Sequence, residues 1–201
     1  MEKIIGVDID GVLTDTGRGS SCFWDKELSQ FVGKKVKRVN NCFDFAKAYE
    51  LDVDIVESFF EVRFPYIART VSVSQKASEV LREFKNHGFI IHLITARGKK
   101  LHKITVDWLE KNNIPYESLS HTKSKGELAT EKKCSLFIED CAENAVDLLK
   151  YDIPVILFSD WYNREWDLTA HDVERVNNWL EVKEYVFQYF NMSEGNIENV
   201  S

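Results

Sequence analysis

Lys3-Ile4-Ile5-Gly6-Val7-Asp8-Ile9-Asp10-Gly11 is the stretch on which the reading of this chain turns. A short apolar run stops at acidic residues and a glycine. That is the pattern of a parallel strand buried on both faces, with its carboxyl end emerging into a polar site. Residues two apart on a strand share a face, but Asp10 lies where the strand breaks at Gly11. Its side chain is therefore free to turn toward a departing group while its carbonyl faces elsewhere. Thr14–Ser21, rich in Thr, Gly, Ser and Arg, reads as a loop.

Outward from this strand the chain divides in two. Between about Asp25 and Ile67, aromatic residues crowd in at mostly helical spacing, which predicts two or three short helices. They form a small α-helical insertion over residues 16–71, set between the two pieces of a core, 1–15 and 72–201. After Ser74 a regular alternation begins. Ser72–Gln75 fits a capping box, followed by a helix with Ala77, Val80, Leu81 and Phe84 on one face and Gly88 at its end. Phe89–Ile94 reads as a strand buried on both faces, and Gly98–Asn112 as a helix. Tyr116–Leu119 is a short strand and Gly126–Lys133 a short helix. Ser135–Ile138 is a strand, Ala142–Lys150 a helix, Pro154–Phe158 a strand and Glu174–Phe190 a closing helix. Such alternation predicts an α/β, Rossmann-like parallel sheet covered on both faces. Ligands of these sheets sit outside the carboxyl ends of the strands.

Composition narrows the function classes. The chain has 201 residues, 44% hydrophobic and 29% charged, enough for one well-buried core and a modest insertion. A net charge of −7 argues against a nucleic-acid partner. No apolar run approaches the roughly 18 residues of a membrane span. Met1–Asp15 carries acids and a single Lys3 where a secretory leader would be basic and then apolar, so a cytoplasmic protein is expected. Cys22, Cys42, Cys134 and Cys141 form no CxxC pair and read as reduced thiols. The histidines show no HExxH spacing, and neither GxSxG nor GxxxxGK[ST] occurs, so zinc hydrolase, serine hydrolase and Walker-type kinase lack support.

The strand ends supply the chemistry. Asp8 and Asp10 follow the first strand, Thr95 follows Phe89–Ile94, Glu139 and Asp140 follow Ser135–Ile138, and Lys125 opens the helix before that strand. Lys123 is close enough to compete with Lys125 for the same role. Carboxylates gathered at one point repel, and a hard divalent cation such as Mg²⁺ resolves the conflict while keeping positions open for a phosphate oxygen. Asp8 is then the nucleophile toward phosphorus, giving an aspartyl-phosphate. Asp10 protonates the leaving alkoxide and later activates water. Lys125 and Thr95 contact the transferred phosphoryl group.

Taken together, Asp8-Ile-Asp10-Gly11-Val12-Leu-Thr-Asp15, Leu93-Ile-Thr95-Ala96-Arg97, Lys125, and Phe137-Ile-Glu139-Asp140 with Asn144 resemble the four ordered motifs of the haloacid dehalogenase-like hydrolases. The resemblance implies a Rossmann-like core and Mg²⁺ held by Asp8, the Asp10 carbonyl and Asp140. It also implies phosphate binding by Thr95, Ala96, Arg97 and Lys125, and a helical cap that selects substrate. The short insertion and the segment Phe158-Ser-Asp-Trp161-Tyr-Asn163 are most similar to the 5′(3′)-deoxyribonucleotidase-like branch, which makes a nucleoside monophosphate the favoured substrate. That branch usually has two aspartates in the fourth motif, and here the first is Glu139. Phe23, Trp24 and Phe43 are candidates to stack on a base. Another small ester such as a sugar phosphate, a receiver-like phospho-acceptor and a non-hydrolytic phosphate-ester binder are the competing readings.

Overall fold

The computed structural model describes residues 2–17, 23–167 and 172–192. In chain order its strands are β1 (Ile4–Val7), β2 (Thr14–Asp15), β3 (Ser72–Val73), β4 (Ile90–Thr95), β5 (Ser118–His121), β6 (Leu136–Glu139), β7 (Val155–Phe158) and β8 (Val173–Val176). Its α-helices are α1 (Phe23–Val32), α2 (Phe45–Tyr49), α3 (Val53–Val62), α4 (Phe64–Thr70), α5 (Ala77–Asn86), α6 (His102–Lys111), α7 (Lys125–Glu131), α8 (Ala142–Leu149) and α9 (Trp179–Tyr189).

All four residues of β1 are buried, as its unbroken apolar run requires. The strand sits inside a six-stranded sheet of order β5-β4-β1-β6-β7-β8, with every neighbouring pair parallel. This is an α/β fold with a parallel core. Successive residues of β1 serve opposite faces, as the period of a strand demands. Ile5 and Val7 join a core with Phe84 of α5, Trp108 of α6 and Trp179 of α9. Ile4 joins the other, with Ala129 of α7 and Ala145 and Leu148 of α8. Gly6, also on that second face, lies against the ring of Phe137 on β6, which leaves no room for a side chain. Register carries the strand ends to one edge: Val7 is level with Leu93 of β4 and with Ile138 of β6. The Asp8 N–H then donates to the Ile138 carbonyl at 3.0 Å, fixing where the chain leaves the sheet.

The structure corrects the sequence reading at four places, the first being Thr14 and Asp15, which read as the start of a loop and instead form β2. Ser72 caps no helix; it pairs in β3 with Asp15 of β2, and α5 starts after Lys76, whose side chain makes no cap bond. The closing helix begins at Trp179, not Glu174. Residues 173–176 form β8 on the free edge of β7, and the Asn178 carboxamide caps the helix by accepting from the N–H groups of Leu180 and Glu181. Among the described residues four helices, not two or three, lie between β2 and β3. Pro65 in the first turn of α4 has no N–H to continue α3, so a new helix starts there. The aromatics of this segment pack on one another: Trp24 meets Phe23 and Phe45 edge-on, and Phe59 meets Phe31 and Phe60. Cys42, Cys134 and Cys141 are free thiols; Cys22 and most of the Gly17–Ser21 loop lie outside the described residues. No helix among the described residues is long and apolar enough to cross a membrane.

Candidate active site

At the carboxyl ends of β1, β4 and β6 the chain assembles a buried charge cluster. Lys125, fully buried at the start of α7, places its ammonium 2.9 Å from Asp8 Oδ1 and 2.8 Å from Glu139 Oε2. Burial alone would lower the lysine pKa. The two carboxylates outweigh it and hold Lys125 above the ordinary lysine range. Glu139 has both oxygens engaged: Oε2 accepts from Lys125, while Oε1 accepts from Asn144 Nδ2 at 2.7 Å and from the Cys141 N–H at 3.3 Å. It works as a bracket that aims Lys125 at Asp8. Lys123, by contrast, is exposed on the cavity rim.

Asp8 and Asp140 carry the unresolved charge. Burial, partly offset by Lys125, raises Asp8 from 3.8 to about 7, with Glu139 and Asp10 adding to the rise. Asp140 is raised well above the usual carboxylate range, first by burial and then by the charges of Glu139 and Asp8. Asp8 Oδ1, although close to the ammonium, is buried and accepts no hydrogen bond. Gly11 adopts φ +76°, and a Cβ there would strike Asp140 Oδ2, so the turn is shaped around that carboxylate.

Ligand atoms of Asp8, Glu139 and Asp140 all lie within 4.8 Å of one another. An all-oxygen set with one orphaned buried oxygen and too little positive charge fits a hard divalent cation. Because Glu139 is already committed, Asp8 and Asp140 are the carboxylates free to hold one. A pH dependence follows. In chelator the metal-free protein should lose stability as pH rises from about 4 to about 7, because the folded Asp8 binds a proton that the unfolded one has released. Thermal melts should therefore show a larger stabilisation by added Mg²⁺ at pH 7.5 than at pH 5. Equal shifts at both pH values would contradict the electrostatic account.

Asp10 is held from the side. Arg97 Nε donates to Asp10 Oδ2 at 2.8 Å and Nη2 to Oδ1 at 2.7 Å, a two-pronged pair, while Nη1 donates to Thr105 at 3.2 Å. The Arg97 side chain is 1% exposed and that of Asp10 37%, so the arginine forms the wall and the carboxylate faces the cavity. Arg97, read from the sequence as a phosphate contact, spends its fork on Asp10. Thr95 is buried, its Oγ1 accepting from the Arg97 N–H at 3.2 Å, while Ala96 is exposed on the cavity.

Several participants were given no role by sequence reasoning. Tyr162, beyond β7, donates its hydroxyl to Asp140 Oδ2. Asn163 Nδ2 donates to the carbonyls of Asp140 and Phe158, both at 2.7 Å. Arg175 of β8 donates to Asn163 Oδ1, to the Asn163 carbonyl and to the Trp166 carbonyl, pinning the loop from beneath. The signal for the first two was the Trp161-Tyr-Asn163 string, noted only as a mark of kinship; Arg175 lay in the stretch misread as helix. The helical segment reaches this loop, with Phe43 against Tyr162 and the Arg38 guanidinium over the Trp161 ring.

Above the carboxylates opens a cavity of about 880 Å³. Asp8, Asp10, Asp140 and Thr95 form its floor, and Trp24, Phe43, Phe45, Phe60 and Phe64 stand on the side of the helical segment. The Cys141 thiol at the rim is pushed up by burial and then by Glu139, so a thiolate nucleophile is disfavoured.

A family model described as "PITM 1-3, LNS2 domain" matches residues 51–150. A nucleotidase of Clostridium acetobutylicum is 30% identical over 200 residues, covering 96% of this chain and 99% of that one. A Chlorobaculum tepidum protein provisionally named a 5′(3′)-deoxyribonucleotidase is 27% identical over 176 residues, 80% of this chain and 81% of that one. Among solved structures, a HAD-superfamily hydrolase from Ehrlichia chaffeensis superposes with a TM-score of 0.56 at 12% identity, covering 95% of this chain and 100% of that one.

Proposed function

We propose a specific reaction for a chain that belongs to the haloacid dehalogenase-like hydrolases, in their nucleotidase-like branch: Mg²⁺-dependent hydrolysis of nucleoside monophosphates through an aspartyl-phosphate on Asp8. The observation that carries it is the placement of Asp8 at the floor of an aromatic-walled cavity, with Lys125 fixed behind it by Glu139. The chain is a phosphatase; the leaving group and the course of the reaction are our reading.

Asp8 attacks phosphorus opposite the ester oxygen, and the P–O bond to the leaving group breaks as the Asp8–phosphorus bond forms. Asp10, whose two oxygens both accept from Arg97 in the free chain, takes a proton from solvent as the ester binds and gives it to the departing alkoxide. It then takes a proton from the water that hydrolyses the acyl phosphate, which restores Asp8 and releases phosphate. Lys125 and Thr95 meet the equatorial phosphoryl oxygens. Asp8, Asp140 and the Asp10 carbonyl would hold the Mg²⁺, which when bound would supply positive charge to an anionic substrate facing an anionic nucleophile. Asn163 and Tyr162 fix Asp140 for that purpose. Segment 16–71 serves as the cap, and its aromatic side chains offer a face to a nucleobase, each stacked contact being worth about 1–3 kcal/mol.

The test is phosphate release from a panel of nucleoside monophosphates, deoxynucleotides and sugar phosphates, with Mg²⁺ and with chelator. Turnover confined to Mg²⁺ and fastest on nucleotides is expected. Faster release from sugar phosphates would move the substrate assignment and leave the chemistry standing. Phosphorylation of Asp8 without turnover would favour a phospho-acceptor.

A further inference from the structure

An aromatic wall accounts for holding a base but not for choosing one, because every base offers a π face to stack. The choice falls to polar groups that meet the edge of the base. Three acids of the helical segment line the cavity, Asp44, Glu57 and Glu61, while its lysines, Lys100 and Lys123, come from the core. Asp44 is already committed: its Oδ1 accepts from the N–H groups of Ala46 and Lys47 and caps α2. Glu57 and Glu61 are exposed, and neither has a hydrogen-bond or ion-pair partner among the described residues. Like charges one turn apart weaken a helix, so the pair is a cost to α3 rather than a support.

Glu57, Phe60, Glu61 and Phe64 follow the i, i+3, i+4, i+7 spacing of one helix face, and all four line the cavity. Arg63, where α3 meets α4, keeps a helical backbone and donates its N–H to the Phe59 carbonyl at 2.8 Å, so the stripe runs on to Phe64. One end of the stripe adjoins the catalytic floor. The Arg97 guanidinium that grips Asp10 lies 5.8 Å from the centre of the Phe64 ring. The Phe60 ring comes next, 5.6 Å from that of Phe64. At about 1.5 Å of rise per residue, Glu61 stands about 4.5 Å and Glu57 about 10 Å along the helix from Phe64, within the reach of a nucleoside.

We propose, on the nucleotidase reading above, that Glu57 and Glu61 are specificity-determining residues that select bases presenting hydrogen-bond donors at their edge, guanine foremost, over uracil and thymine. The sugar lies beside Phe64 and the base against Phe60, with its edge toward the two acids. An ionised carboxylate only accepts. Guanine meets it with two adjacent donors, N1–H and the N2 amino group. Cytosine and adenine offer one amino group beside an acceptor. In uracil and thymine the single N3–H is flanked by two carbonyl oxygens, which a carboxylate repels.

The kcat/KM values for dGMP, dCMP, dAMP, dUMP and dTMP, measured with Mg²⁺, test this, since their phosphates carry the same charge. Wild type should favour dGMP over dTMP by about tenfold or more. Combining Glu57→Gln with Glu61→Gln puts amides of the same size, which donate as well as accept, in place of two exposed carboxylates. The double variant should lose on dGMP and gain on dTMP, erasing most of that ratio, with an unchanged circular dichroism spectrum. A structural role, or a general effect of negative charge, would instead move all five nucleotides together. That outcome, or a wild type that handles dTMP as well as dGMP, would overturn the proposal and leave the nucleotidase reading intact. Sugar phosphates released faster than all five nucleotides would overturn that reading and this proposal with it.

Discussion

Asp8→Asn is expected to lower phosphate release by on the order of 10⁴-fold or more, the scale seen when a covalent nucleophile is removed while the binding machinery stays intact. Two further readouts distinguish loss of chemistry from loss of fold. Asn at position 8 removes one charge from a cluster whose groups crowd within 4.8 Å, so the metal-free variant at pH 7 should melt no lower than wild type. Acid-quenched protein should carry no phosphoryl group. A variant that keeps more than about 1% of wild-type turnover, with the acyl phosphate trapped on another residue, would move the nucleophile away from Asp8.

Lys125→Met should be the costliest substitution for stability among the site residues. Its ammonium has no solvent contact and stands between two buried carboxylates. Removing one partner of a buried ion pair costs about 3–5 kcal/mol, mostly through the charge left behind. Here Asp8 and Glu139 are both left behind. Urea denaturation at pH 7 measures the loss, which should shrink toward pH 5 as Asp8 takes up a proton. Adding Glu139→Gln should return part of it, because the second change removes a charge that the first stranded. A loss under about 1 kcal/mol would mean the triad is solvated and contributes little.

Much of this site could be read from the order of residues, for a simple physical reason. Buried parallel strands are short apolar runs, and a polar residue marks where each of three stops: Asp8 just after β1, Thr95 as the last residue of β4 and Glu139 as the last of β6. Alternation with helices then sends those ends to one edge. What stayed hidden depends on partners distant in the chain. Thr14–Asp15 and Ser72–Val73 are two-residue strands that exist only because each finds the other. Val173–Val176 has charged residues at its centre and joins a helix-like sequence, so only the free edge of β7 makes it a strand. Tyr162 and Asn163 lie in a loop with no periodicity, and their hydrogen bonds to Asp140 cross more than twenty positions. Glu139 departs from the aspartate usual at that place in the resembled branch. The structure supplies a use for its extra methylene, which lets one side chain reach both Lys125 and Asn144.

The small pairing of β2 with β3 has a consequence for how such proteins diversify. Asp15 stands opposite Ser72, so the chain leaves and re-enters the body of the molecule at adjacent points, like the two ends of a clasp. A segment hung on a clasp can lengthen, shorten or be exchanged without moving Asp8 by any bond it makes to β1. A change between the two paired dipeptides then reaches the floor through side chains alone, such as Phe43 against Tyr162, whose hydroxyl holds Asp140.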